Sequence, residues 1–104
     1  MYTHDIDYVI RTLGVGATYR GYRYLSYGIE LCLADEEYLL AISKQLYPEI
    51  ARKYKTTVGS VERDIRTVIR VCWENGYDQL QSYSFWPLHV RPTAGEFFDI
   101  LVAY

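Results

Sequence analysis

Hydrophobic residues recur along most of the chain at the three- and four-residue spacing of amphipathic α-helices. The pattern predicts a first helix capped by Thr3 and ended by Gly14, then a second helix over about 19–33. Gly21 and Gly28 interrupt the second helix, and such glycines often mark places where two helices pack closely.

Two further helices are predicted in the middle of the chain. Asp35 caps the third, which runs to about position 46 with an apolar face formed by Tyr38, Leu39, Ile42 and Leu46. Pro48 suits the first turn of the fourth, which continues to about position 55, because its missing N–H is not needed there.

The longest predicted helix covers about 58–75, with Thr57 as its cap, and ends near Gly76. A short helical turn over 78–82 and an extended segment over 83–90 follow. Thr93 and Glu96 have the spacing of a capping box and predict a last helix. The predicted fold is all-α: a compact bundle of about six helices in a single domain over 1–104.

Composition narrows the cellular context. Cys32 and Cys72 have no partner at metal-ligand or CxxC spacing, which favours buried, reduced thiols in a cytoplasmic protein. The apolar runs are too short for a membrane span, and Asp5 and Asp7 stand where a signal peptide would be basic or apolar.

Catalytic chemistry is weakly supported, and we expect neither an enzyme nor a bound cofactor or metal. His4 and His89 lack a paired nucleophile, and the glycines at 14 and 16 lack the rest of a dinucleotide-binding motif. The carboxylates of Asp35, Glu36 and Glu37 are typical of a helix start.

Charge is unevenly distributed, although the whole chain carries only −2. Residues 44–70 carry +4, and the remaining 77 residues carry −6. One basic segment on an acidic body is typical of a small protein that binds a polyanion through one face.

The basic segment contains a helix-turn-helix pattern over 50–65. Ala51 and Val61 provide the small and branched residues needed where a short helix crosses a longer one, and Ile50, Tyr54 and Ile65 complete their shared core. A helical wheel gathers a polar, mostly basic strip on the opposite face: Gly59, Ser60, Arg63, Arg66, Thr67 and Arg70. Glu62 falls at the margin of the apolar arc, and Asp64 falls near the strip. A helical hairpin with a solvated face is the alternative interpretation.

The chain resembles the C-terminal DNA-binding domain family of the stage-zero sporulation protein A response regulators. Five blocks in matching order carry the resemblance: 14–15 with 20–25, 46–51, 56–57 with 61–63, 65–66 with Trp73, and 91–93 with 96–97. It implies a six-helix fold that reads a short DNA box, often as tandem copies, and contacts RNA polymerase. The family also has a receiver domain, for which this chain is too short, so we expect either an excised effector domain or a free-standing homologue.

The resemblance implies base contacts by Glu62, Arg63 and Arg66 in the major groove. The phosphate or neighbouring contacts expected around them are Lys53, Lys55, Thr56, Thr57, Ser60, Thr67, Arg70 and Arg91. Three positions depart from the family pattern: Ser60 replaces Arg, Asp64 replaces a small residue and Thr67 replaces His. The leading hypothesis is a sequence-specific transcription regulator that binds double-stranded DNA. The alternative is a protein-interaction module that keeps the fold without the DNA affinity.

Overall fold

A computed structural model describes residues 5–104, and six α-helices account for most of them. The helices are α1 (Ile6–Thr12), α2 (Arg20–Ala34), α3 (Tyr47–Lys53), α4 (Val58–Asn75), α5 (Tyr77–Tyr83) and α6 (Ala94–Ala103). No strand occurs within this part of the chain. The predicted all-α class is therefore confirmed.

The first two helices agree with the prediction to within about two residues. Helix α1 ends at Thr12, and Gly14 then adopts a φ of +90°, a conformation that glycine reaches without steric cost. Helix α2 begins one residue later and ends one residue later than predicted. The predicted cap at Thr3 lies outside the described residues.

The predicted third helix over 35–46 is wrong in its detail. Asp35 does act as a cap, since its Oδ1 accepts a hydrogen bond from the Glu37 amide at 3.0 Å. However, Glu36–Leu40 forms a 3₁₀ helix, the chain breaks at Ala41, and Ile42–Leu46 forms a π-helical turn that runs directly into α3. Of the four predicted face residues only Leu46 is fully buried. Hydrophobic spacing over one or two turns does not distinguish i+3, i+4 and i+5 hydrogen bonding, so the pattern could not reveal this change of register.

The segment between α5 and α6, predicted to be extended from Tyr83, begins after Tyr83 and has no regular secondary structure. Side chains of α5 hold it: the Tyr77 hydroxyl donates to the Leu88 carbonyl at 2.7 Å, and the Leu88 amide donates to Gln81 Oε1 at 2.7 Å. Leu88 is buried, whereas Phe85 and Val90 are 81% and 75% exposed. The predicted capping box at α6 is confirmed, because Thr93 and Glu96 each accept the other's backbone N–H.

Helix α2 is the centre of the bundle and packs against α1, α3, α4 and α6. The approach to α4 is closest at Gly21, where a Cβ would lie only 2.5 Å from the Asp64 carbonyl oxygen and would collide with Val68. At Gly28 a Cβ would lie 2.8 Å from the Phe98 ring of α6. These two glycines therefore mark close packing, as predicted, and the first of them fixes the position of α4.

Candidate DNA-binding surface

Helices α3 and α4 and the turn between them form a rigid pair. Ile50 and Ala51 of α3 and Val61 and Ile65 of α4 are all buried, as the sequence predicts for a shared core. Tyr54 is only partly buried against that core. Packing on both sides of the turn holds α4 in one orientation relative to α3.

Hydrogen bonds fix the turn itself. The Thr56 amide donates to the Ala51 carbonyl at 2.9 Å, which closes the end of α3. Thr57 Oγ1 accepts from the Ser60 amide and donates to the Ser60 hydroxyl, both at 3.0 Å, so the predicted N-cap of α4 is confirmed. The first turn of α4 thus has a defined starting point.

The outer face of α4 carries the polar strip that the sequence predicts. Its arginine side chains are well exposed: 63% for Arg63, 67% for Arg66 and 48% for Arg70. Glu62, predicted at the margin of the apolar arc, is also exposed and lies beside Arg66. Ser60 and Thr67 are partly buried, and the Thr67 hydroxyl donates to the Arg63 carbonyl at 3.1 Å.

The arginines on this face differ in how their charges are balanced. Arg66 Nη2 lies 2.6 Å from Glu62 Oε1, and Arg70 Nη1 lies 3.4 Å from Glu74 Oε2. Within the described part of the chain, Arg63 has only a loose partner, with 3.8 Å between its Nε and Asp64 Oδ1. Its guanidinium therefore retains almost all of its hydrogen-bonding capacity for another molecule.

Asp64 is placed differently from the helical-wheel expectation. Its side chain is only 17% exposed, its backbone carbonyl lies at the close approach to Gly21 of α2, and its Oδ2 is buried without a hydrogen-bond partner within residues 5–104. The wheel could not reveal this, because the close approach at Gly21 covers a position that would face solvent on an isolated helix.

Arg91 reaches the same surface from a distant part of the sequence. It lines a cavity of about 460 Å³ together with Tyr47, Glu62, Arg66 and the start of α6. Burial raises the pKa of Tyr47 to about 12; Glu62 adds to this increase and Arg66 opposes it, which places the hydroxyl near that ion pair. The fold thus brings the predicted Arg91 beside two of the predicted base-reading residues.

The remaining predicted residues cluster at the end of α3 and in the turn. Lys53 Nζ lies 5.3 Å from the centre of the Tyr27 ring, and Lys55, Thr56 and Thr57 follow it along the turn. Arg20 and Arg23 of α2 belong to the matching block 20–25 but were not predicted as site residues; they line a second cavity with Lys55 and Thr56. The i, i+3 spacing of these two arginines, next to tyrosines, places them on one face of α2. The spacing does not reveal that this face lies against the α3–α4 turn.

Two other kinds of site have no support in the described part of the chain. Residues 5–104 contain no group of three or more His, Cys, Asp or Glu side chains arranged to hold a metal ion. No helix among them is both long and apolar enough to cross a membrane.

An all-α bundle in which a short helix, a tight turn and a longer helix with an exposed basic face form one unit has the architecture of a helix-turn-helix DNA-binding domain. Comparison with known families agrees: residues 6–104 match the family described as "Sporulation initiation factor Spo0A C terminal". The chain belongs to this family of DNA-binding effector domains of sporulation transcription regulators.

Proposed function

We propose that the chain forms a single domain that regulates transcription by binding a specific double-stranded DNA site, with α4 as the recognition helix in the major groove. The observation that carries this proposal is Arg63, which is exposed on the outer face of a helix held rigidly by the α3–α4 core and has only a loose ion pair. A protein acting this way works in the cytoplasm, where it meets its DNA.

Base recognition is assigned to three side chains. Arg63 donates two hydrogen bonds to N7 and O6 of a guanine, the geometry that a planar guanidinium fits best. Glu62 accepts from a cytosine amino group through the carboxylate oxygen that Arg66 does not use. Arg66 orients Glu62 and contributes a neighbouring polar contact of its own.

Phosphate contacts position the helix without reading sequence. The proposed contacts surround the recognition face on the turn, on α4 and on the α5–α6 segment: Lys53, Lys55, Thr56, Thr57, Ser60, Thr67, Arg70 and Arg91. The +4 charge of residues 44–70 favours the approach of a polyanion. We further propose, as the family resemblance implies, that two molecules bind side by side on tandem DNA boxes and that the domain contacts RNA polymerase.

A protein-interaction module is the second candidate function. Phe85 and Val90 are apolar and strongly exposed in the α5–α6 segment, and the chain outside 44–70 is acidic. Such a surface suits a protein partner better than DNA. If this is the function, the α4 face has no measurable affinity for DNA.

The test begins by selecting preferred duplexes from a random pool and measuring affinity at several salt concentrations. A protein with six or more phosphate contacts should lose about 10³-fold in affinity between about 50 and 200 mM salt. Arg63→Ala should cost about 1–3 kcal/mol at the selected site and relax the preference at one base pair. Arg70→Ala, the matched control, should weaken binding to all sequences alike.

Two results would contradict the proposal. If the parent protein has no affinity for any duplex at either salt concentration, the interaction module is the better account. If Arg63→Ala keeps the full preference of the parent, Arg63 does not read a base.

A further inference from the structure

A second basic cavity lies at the junction between the start of α2 and the α3–α4 turn. Its volume is about 330 Å³. Three cationic side chains, two tyrosines and a threonine line it: Arg20, Arg23, Tyr24, Tyr54, Lys55 and Thr56. No carboxylate is among these lining residues, so the cavity has the charge of an anion site.

Aromatic packing holds the two arginines in place beside the turn. Arg20, Arg23, Tyr24 and Tyr27 share one face of α2, since they are spaced i, i+3, i+4 and i+7. The rings of Tyr24 and Tyr27 lie 5.4 Å and 6.1 Å from the Tyr54 ring, measured between centroids. The face of α2 that carries the arginines is therefore fixed against the end of α3.

Among the residues that the structure describes, the cations around this cavity form no ion pairs. Arg66 and Arg70 of α4 each pair with a glutamate, but within residues 5–104 neither Arg20, Arg23 nor Lys55 is within ion-pair distance of a carboxylate. Burial raises the pKa of Tyr54, and Arg23 acts in the opposite direction, which places this guanidinium near the Tyr54 hydroxyl. Glu30 acts on the same hydroxyl from farther along α2 and does not line the cavity.

The backbone at Lys55 provides an independent observation. Its φ is +52°, and within residues 5–104 it is the one non-glycine residue with a positive φ. Glycine or asparagine would adopt this conformation at lower cost. The lysine held in this conformation at the end of α3 lines the cavity together with the two arginines.

We propose that Arg20, Arg23 and Lys55 form a phosphate-binding pocket that takes a backbone phosphate of the same duplex that α4 reads. The pocket lies at the N-terminal end of α4, because Lys55 and Thr56 directly precede the Thr57 cap. Planar guanidinium groups match two phosphate oxygens, and the lysine adds a point charge. This inference rests on the proposed DNA-binding function and extends its contact surface to α2.

The first experiment compares two variants that each lose one arginine, Arg23 of α2 in one and Arg11 of α1 in the other. Arg23→Gln removes a charge from the pocket. Arg11→Gln is the control, since Arg11 lies over Tyr22 on the other side of α2. We expect Arg23→Gln to weaken binding severalfold for selected and random duplexes alike, with an unchanged ratio between them, and to reduce the slope of log K against log salt by about one. The control should do neither.

A second variant separates binding from folding. Lys55→Gly removes the ammonium group and relieves the positive-φ backbone, so its melting temperature should equal or exceed that of the parent. Its affinity for every duplex should nevertheless fall severalfold. Unchanged affinity in both Lys55→Gly and Arg23→Gln would overturn the pocket.

The third experiment identifies the source of the phosphate group. Methylphosphonate substitution at single positions of the duplex should reveal one phosphate whose neutralisation weakens the parent but not the Arg23→Gln variant. Inorganic phosphate is titrated separately against the amide NMR signals of Arg20, Arg23 and Lys55. If free phosphate saturates these signals while no duplex phosphate is coupled to Arg23, the pocket serves a free phosphate compound and the duplex assignment is wrong.

These outcomes distinguish the pocket from the proposed function. If Arg63→Ala loses its sequence preference while Arg23→Gln binds like the parent, α4 reads DNA and the pocket is refuted. If the parent binds no duplex, the proposed function and the pocket both fall.

Discussion

The contact between Gly21 and the recognition helix gives a sharp stability prediction. In Gly21→Ala the new Cβ would lie 2.5 Å from the Asp64 carbonyl oxygen, whereas van der Waals contact requires about 3.5 Å. Helices α2 and α4 must therefore separate by roughly 1 Å. The new Cβ would meet the backbone of Asp64 and the stiff β-branched side chain of Val68, and neither can rotate away.

The expected magnitude follows from two opposing effects. Overpacking of this kind costs about 1–3 kcal/mol, and rigid backbone places Gly21→Ala toward the upper end. Alanine is favoured over glycine inside a helix by about 1 kcal/mol. The net loss in the free energy of unfolding should be about 1–2 kcal/mol, which corresponds to a melting temperature lower by about 5–15 °C in a domain of this size.

Gly59→Ala is the matched control, because its Cβ would meet only Thr57 Oγ1, at 4.0 Å. Both substitutions restrict the unfolded chain equally, so their difference isolates the clash. Urea unfolding followed by circular dichroism should show a lower midpoint with the same slope for Gly21→Ala and an unchanged or higher midpoint for Gly59→Ala. A Gly21→Ala protein as stable as the parent would refute the close approach of α2 and α4.

Three further predictions concern buried polar groups. Asp64→Ala should raise the free energy of unfolding by about 1 kcal/mol, because it removes a carboxylate oxygen that is buried without a hydrogen bond. The same variant should bind all duplexes more tightly at low salt. A lower urea midpoint would mean that Asp64 supports the fold. Burial raises the pKa of Cys32 to about 11 and of Cys72 to about 12. The thiols of the unfolded chain have a pKa of about 8.5. The stability that the buried, neutral thiols contribute should therefore be complete below that pH and should decline as the pH rises toward 11–12. Neither thiol should react with a thiol reagent at neutral pH until the protein unfolds, and rapid modification of the native protein would contradict their burial.

Local sequence determined the helices that carry their own start and stop signals. Thr57 caps α4 and Thr93 caps α6 because each side chain needs only the amides of the following turn. The polar strip on α4 was equally predictable, since the faces of a helix follow from its 3.6-residue period. The 3₁₀ and π turns before α3 were not, because neighbouring helical registers bury nearly the same positions.

Tertiary packing alone decided which helix faces meet. The close approach at Gly21 meets α4 at Asp64 and Val68, and the α5–α6 segment carries Arg91 to the cavity beside Glu62. Packing of Tyr24 and Tyr27 on Tyr54 likewise placed two arginines of α2 beside Lys55, more than thirty residues away. Periodicity encodes a face within one helix, but the partner of that face depends on how all six helices fill a common core.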